Sequence, residues 1–261
     1  MEQVTSPDGT TIAFDRLGSG APLILVAGAA CDRQADARLA ASLAEHFTVF
    51  NYDRRGRGDS GDTQPFAVVR EVEDIGAVLG ATGGAALLVG LSSGAALAAR
   101  AAAVLPVAGL VMWEPPFTVD DDGLAAARAY TAALTERLAA GDSDGAFEAF
   151  LRRVGMPDEA IVGARQAPFW AGAARMAPTL AYDDAALNGG PVPTDAFRDV
   201  AVPTVVLAGG ASPDSLQAGA RAAAEAIACA GFAVLEGQTH DADPDVLTAA
   251  IVSFTAESAT G

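Results

Sequence analysis

Apolar positions along this chain fall into short continuous runs separated by stretches of helical spacing, a pattern of alternating strands and helices. Thr10-Thr-Ile-Ala-Phe-Asp-Arg reads as a strand after the Asp8-Gly9 turn, and Pro22 to Ala27 is an apolar run ending at Gly28. The spacing predicts a helix over 36–46, a strand over 47–52, a polar glycine-rich loop over 53–60 and a helix over 69–79. Residues 85–90 then read as a buried strand, 93–104 as a helix and 107–113 as a further strand. Buried strands joined by helices imply an α/β fold, with a mostly parallel sheet covered by helices on both faces.

After Pro115-Pro116 the pattern changes. Residues 117–194 show helical spacing and no convincing strand, with helices expected over 122–140, 143–154, 157–165 and 170–186, and an exit loop at Asn188-Gly-Gly-Pro-Val-Pro. Alternation resumes with a strand from Thr204, a helix over 215–228, a last strand over 233–235 and a closing helix over 243–255. The expected organisation is a core of residues 1–116 and 195–261, interrupted by a helical cap over 117–194 that enters after the strand ending near Trp113.

Composition narrows the function. The net charge of −17 repels phosphate backbones and anionic membranes, so neither nucleic acid nor membrane is an expected partner. The longest apolar stretches are broken by glycines, serines and Arg100, and residues 1–9 lack the basic-then-apolar signature of a secretory signal. A cytoplasmic location is the expectation. Cys31 and Cys229 are far apart and read as free thiols. His46 and His240 are the only histidines, too few for an imidazole-rich metal site, so no metal and no cofactor is expected.

The candidate chemistry centres on Gly90-Leu91-Ser92-Ser93-Gly94, which lies between a buried strand and an Ala-rich helix. That is the setting of a G-x-S-x-G nucleophile elbow, where a tight strand-to-helix turn leaves no room for side chains at the two glycines. His240 follows a short strand in a loop just before the closing helix, where a base that activates Ser92 fits the chain order of nucleophile, acid, histidine. His46 precedes a strand at the opposite end and reads as a surface residue.

Taken together, the run ending Val26-Ala27-Gly28, the loop Tyr52-Asp53-Arg54-Arg55-Gly56-Arg57-Gly58-Asp59-Ser60, the elbow at Ser92 and the Gly237-Gln-Thr-His240 loop resemble the α/β-hydrolase superfamily over nearly the whole length. The resemblance implies an oxyanion hole built from the N–H groups of Ala29 and Ser93. It is loose at Ala27-Gly28, where relatives often carry His-Gly, a change that leaves the backbone donors intact. It is also loose at the acid. Where relatives usually carry Asp, this chain has Ser212 or Pro213, with Asp214 slightly late. Other relatives, certain haloalkane dehalogenases among them, take the acid from the end of the preceding strand, the place of Glu114, so Glu114 is the first choice and Asp214 the alternative. Asp53, Arg54 and Arg55 are expected to shape the loop under the elbow. Trp113, Phe117, Phe169, Trp170 and Met176 are expected mainly in packing.

The implied activity is hydrolysis of small ester-like molecules (esters, thioesters or lactones) through an acyl-enzyme. Non-hydrolytic cyclisation or elimination in the same pocket, and a catalytically silent ligand-binding protein, are the rival readings. The serine at the elbow argues against dehalogenase and epoxide hydrolase chemistry, which use Asp there. Substrate identity and oligomeric state are not legible.

Overall fold

The computed structural model describes residues 1–258, so the last three residues of the expected core, 259–261, lie outside it. Eight strands form one sheet: β1 (Glu2–Thr5), β2 (Thr11–Gly18), β3 (Ala21–Val26), β4 (Phe47–Tyr52), β5 (Leu87–Leu91), β6 (Gly109–Trp113), β7 (Thr204–Gly209) and β8 (Ala230–Leu235). Their spatial order is β1-β2-β4-β3-β5-β6-β7-β8. β1 and β2 form an antiparallel hairpin, β2 is antiparallel to β4, and every other pairing is parallel.

Alternation along the strands sorts their side chains onto two faces. Ile24 and Val26 of β3, Phe50 and Tyr52 of β4 and Leu88 of β5 point into one core. Leu23 and Leu25, Val49, and Leu87 and Val89 point into the other. The first face is covered by α2 (Val68–Ala81), α3 (Ser93–Ala102) and α10 (Asp214–Glu225), the second by α1 (Ala37–Leu43) and α11 (Pro244–Ser258). At about 25 cal/mol per Å² of apolar surface removed from water, these two layers supply the main driving force of the fold.

Between β6 and β7 come α4 (Asp121–Ala139), α5 (Ser143–Arg153), α6 (Asp158–Ala164), α7 (Trp170–Met176), a 3-10 turn (Ala177–Thr179), α8 (Leu180–Ala186) and α9 (Thr194–Phe197). Asp120 and Asp142 cap α4 and α5 by accepting from the N–H groups of Gly123 and Gly145. Leu134, Phe147, Leu151, Ile161, Trp170 and Leu180 make a separate small core, against which Ala29 and Ala30 of the sheet layer pack.

Three elements depart from the sequence expectation. β1 was not expected, because it is four residues long and carries one apolar residue, Val4, among three exposed polar ones. The helix expected over 170–186 is broken into α7, the 3-10 turn and α8, since Pro178 has no N–H to give and its ring crowds the carbonyl of the preceding turn. β8 begins at Ala230, earlier than the apolar run suggests.

Candidate active site

All the candidate residues gather at the carboxyl ends of the parallel strands, where open α/β sheets bind ligands. β5 ends in Leu91 and α3 starts at Ser93, so Ser92 is the turn between them, at φ 54° and ψ −123°. Its N–H donates to Trp113 O at 2.8 Å, which ties the turn to the end of β6. The glycines around it are demanded by contact: a Cβ on Gly94 would lie 2.2 Å from Val26 O, and one on Gly90 2.5 Å from Ala95 Cα. A serine at positive φ is a strained conformation, held by the pairing of both flanking elements.

Glu114 follows the last residue of β6, also at positive φ (43°), and is fully buried. Its Oε2 accepts from His240 Nδ1 at 2.7 Å and its Oε1 from the Gly209 N–H at 2.7 Å. Burial alone would raise this carboxyl, but the His240 contact and the Gly209 N–H outweigh it and hold it below the usual carboxylate range. With Nδ1 engaged, Nε2 is the free nitrogen of the imidazole. Trp113 Nε1 donates to His240 O at 3.0 Å, so the loop carrying the histidine is gripped at main chain and side chain by consecutive residues of one strand end.

Of the two candidate acids, Glu114 is the one brought to His240. Asp214 stands exposed on the first turn of α10, and Ser212, where relatives usually have their Asp, is buried. His46 is exposed beyond the far end of the sheet.

Ser92, His240, Ala29 and Ser93 all border one cavity of about 1190 Å³, roofed by α4, α5 and α8. Trp113 and Phe117 line it, whereas Trp170 sits in the core of the helical insert and Phe169 is exposed. Gly28 allows the close approach of the β3 loop, since a Cβ there would lie 3.2 Å from Ser92 Cβ. The wall is acidic, with Asp36, Asp183, Asp184 and Asp241 against Arg38 and Arg153. Oδ2 of Asp36 is buried without a partner, and burial together with Asp32 pushes this carboxyl up to about 6. Burial and Asp36 push the Cys31 thiol up to about 12, so it is not an activated nucleophile. No group of three or more His, Cys, Asp or Glu side chains among the described residues is arranged to hold a metal ion.

Beneath the elbow, Asp53 accepts from the main-chain N–H groups of Arg33 and Asp59 and organises its own loop. Arg55 pairs with Asp74 and Asp8. Arg54 and Arg57 do more than shape the loop, because both reach Asp183 of α8. Sequence reasoning missed Asp36, Arg57 and Asp183 as site residues. The one signal for Asp183 was an acidic pair inside the apolar Leu180–Ala186 segment.

A serine on a strained strand-to-helix turn and a carboxylate-bound histidine from the loop before the last helix border the same cavity, the setting in which α/β-hydrolase folds carry their chemistry. The model of the alpha/beta hydrolase family matches residues 23–250, and the chain belongs to that family. A solved alpha/beta hydrolase from Sphaerobacter thermophilus DSM 20745 is 44% identical, with a TM-score of 0.87 over 97% of this chain and 100% of that one. The same fold recurs in a thermophilic esterase from Thermogutta terrifontis (24% identity, TM-score 0.69, 98% of each chain). It recurs again in the enol-lactonase from Burkholderia xenovorans LB400 (19% identity, TM-score 0.69, 98% of this chain and 100% of that one). No curated protein matches the chain at a significant level. Among the described residues no helix is long and apolar enough to cross a membrane.

Proposed function

We propose that the protein is a serine hydrolase of small ester-like molecules, acting through a Ser92–His240–Glu114 triad and an acyl-enzyme. The observation that carries this reading is the 2.7 Å contact of His240 Nδ1 with buried Glu114, where His240 lines the same cavity as Ser92. A carboxylate on Nδ1 fixes the tautomer that leaves Nε2 as a base. Nε2 takes the Ser92 proton as Oγ attacks the carbonyl carbon, and the imidazolium returns that proton to the departing alcohol, thiol or ring oxygen. The N–H groups of Ala29 and Ser93 receive the oxyanion, and a water activated by the same histidine releases the acid product. The chemistry needs no cofactor.

The fold neighbours include esterases and an enol-lactonase, which favours carboxylic esters and lactones as the first substrates to try. The acidic cavity wall favours neutral or cationic substrates over carboxylates.

The test is labelling with a fluorophosphonate followed by peptide mapping. Stoichiometric modification of Ser92, abolished in His240→Ala and Ser92→Ala, is the expected result. A folded wild type that stays unlabelled and turns over no activated ester sinks the acyl-enzyme reading, and directs attention to non-covalent catalysis or ligand binding.

A further inference from the structure

Gly28 and Ala29 share one peptide group, and its two ends meet different surroundings. The carbonyl oxygen of Gly28 accepts from Arg57 Nη1 at 2.6 Å. The Ala29 N–H has no acceptor among the described residues and borders the cavity. In a trans peptide the C=O and N–H point in opposite directions, so a guanidinium that fixes the oxygen below also fixes where the N–H aims above. The carbonyl just before it, Ala27 O, accepts from Arg54 Nη1 at 3.1 Å.

Both arginines are themselves held by one side chain of the helical insert. Asp183 Oδ1 accepts from Arg54 Nη1 at 2.7 Å, and Arg57 Nη2 donates to both Asp183 oxygens, at 2.9 and 2.8 Å. Asp183 Oδ1 also accepts from Ser93 Oγ at 2.8 Å, and Ser93 carries the other N–H of the pair. Glu71 takes Arg54 in a two-bond fork, and Thr179 Oγ1 accepts from Arg57 Nε. Arg54, Arg57, Glu71 and Asp183 are all at most 3% exposed. Burial would raise the Asp183 carboxyl, but the charges of Arg57 and Arg54 outweigh it and keep it ionised below the usual range. Two buried cations and two buried anions are costly to desolvate, and apolar side chains would hold a helix in place at lower cost.

We propose that Asp183 is a positioning residue for the oxyanion hole: through Arg57 and Arg54 it fixes the Gly28–Ala29 peptide, and through Ser93 Oγ it fixes the first residue of α3. This rests on the hydrolase reading above. Both donors are then aimed only when α8 is seated, so the insert is part of the floor of the site as well as its roof. Arg57, the Gly28–Ala29 amide and the oxyanion also form a hydrogen-bonded series in which each bond polarises the next, so the arginine's charge strengthens the donor as negative charge develops.

An oxyanion donor acts on the transition state, so its misalignment lowers kcat and leaves KM nearly unchanged. The experiment compares wild type, Ser93→Ala and Asp183→Asn in p-nitrophenyl butyrate hydrolysis, with melting curves and hydrogen–deuterium exchange of the segments 27–31 and 92–97. Expected are a fall in kcat of roughly tenfold for Ser93→Ala and roughly a hundredfold for Asp183→Asn, KM within about twofold, and faster exchange in both segments. Asp74→Asn, which breaks the buried pair with Arg55, an arginine of the same loop that makes no bond to Asp183, serves as the control, with a lower melting temperature and unchanged kcat. Should Asp183→Asn not fold, Ser93→Ala decides, since it removes one hydroxyl and leaves every ion pair in place. Folded variants with wild-type kcat and wild-type exchange overturn the proposal. If the wild type hydrolyses no ester, the hydrolase reading falls by itself, and exchange at 27–31 still decides whether Asp183 holds that peptide.

Discussion

His240 is bound twice by neighbouring residues of β6 and its exit: Glu114 accepts from its ring at 2.7 Å, and Trp113, one residue earlier, donates to its carbonyl at 3.0 Å. The ring is 46% exposed while its partner carboxylate is fully buried. The imidazole therefore reaches the cavity from a solvent-facing loop, yet its orientation is set from the interior of the sheet.

Glu114→Gln removes the charge that orients and stabilises the imidazolium while keeping the shape. We expect kcat to fall on the order of 10³-fold with the fold intact, and Asp214→Asn to behave as wild type. Steady-state kinetics on both variants checks this, and the opposite pattern would give the acid role to Asp214.

Glu114 and Asp183 both have folded-state carboxyls held below their usual values. Their stabilisation is therefore complete above the unfolded pKa of about 4 and is lost as pH falls through the lower folded values. Denaturant midpoints are expected to drop as pH falls below about 4, and an acid limb unchanged by Asp183→Asn would contradict the assignment.

Asp36 has the opposite sign. Its folded carboxyl is raised to about 6, so folding costs nothing extra below about pH 4 and carries the full penalty above pH 6. Asp36→Asn is expected to add about 1–3 kcal/mol of stability at pH 7.5 and almost none at pH 4. Urea denaturation at the two pH values measures it, and a variant no more stable than wild type at pH 7.5 would refute it.

Gly94→Ala drives a methyl against two carbonyl oxygens of β3 and its exit, at 2.2 Å from Val26 O and 2.5 Å from Ala27 O. Both are main-chain atoms in the centre of the fold, so relief requires moving α3 off the sheet. A loss of about 3 kcal/mol or more is expected, read as a collapse of melting temperature or of soluble yield. A melting temperature within a few degrees of wild type would show that the helix has room to shift.

The central strands were legible because their burial is written as continuous apolar runs, and Ser92 because the glycines at 90 and 94 are required by contact. β1 was not, since a four-residue edge strand with a single apolar residue shows no alternation and is defined by its pairing with β2. The break in the insert was signalled by Pro178 but hidden by helical spacing on either side. Glu114 and Asp214 could not be told apart by spacing, because reaching His240 depends on the depth of the strand ends. Asp183 stayed hidden for a related reason. Its partners Arg54 and Arg57 lie in a loop whose arginines read alike in sequence, though Arg55 turns instead to Asp74.

Three fastenings of the site join distant parts of the chain, with Ser93 and Asp183 90 residues apart, Arg57 and Asp183 126, and Glu114 and His240 126. During synthesis the Ser92 turn emerges early, whereas Asp183 and His240 emerge much later. A nascent or truncated chain ending before α8 would hold β1 to β6, the Ser92 turn, and Arg54 and Arg57 without the carboxylate they share. The contacts that complete the site are therefore long-range ones, which close only after most of the chain is in place.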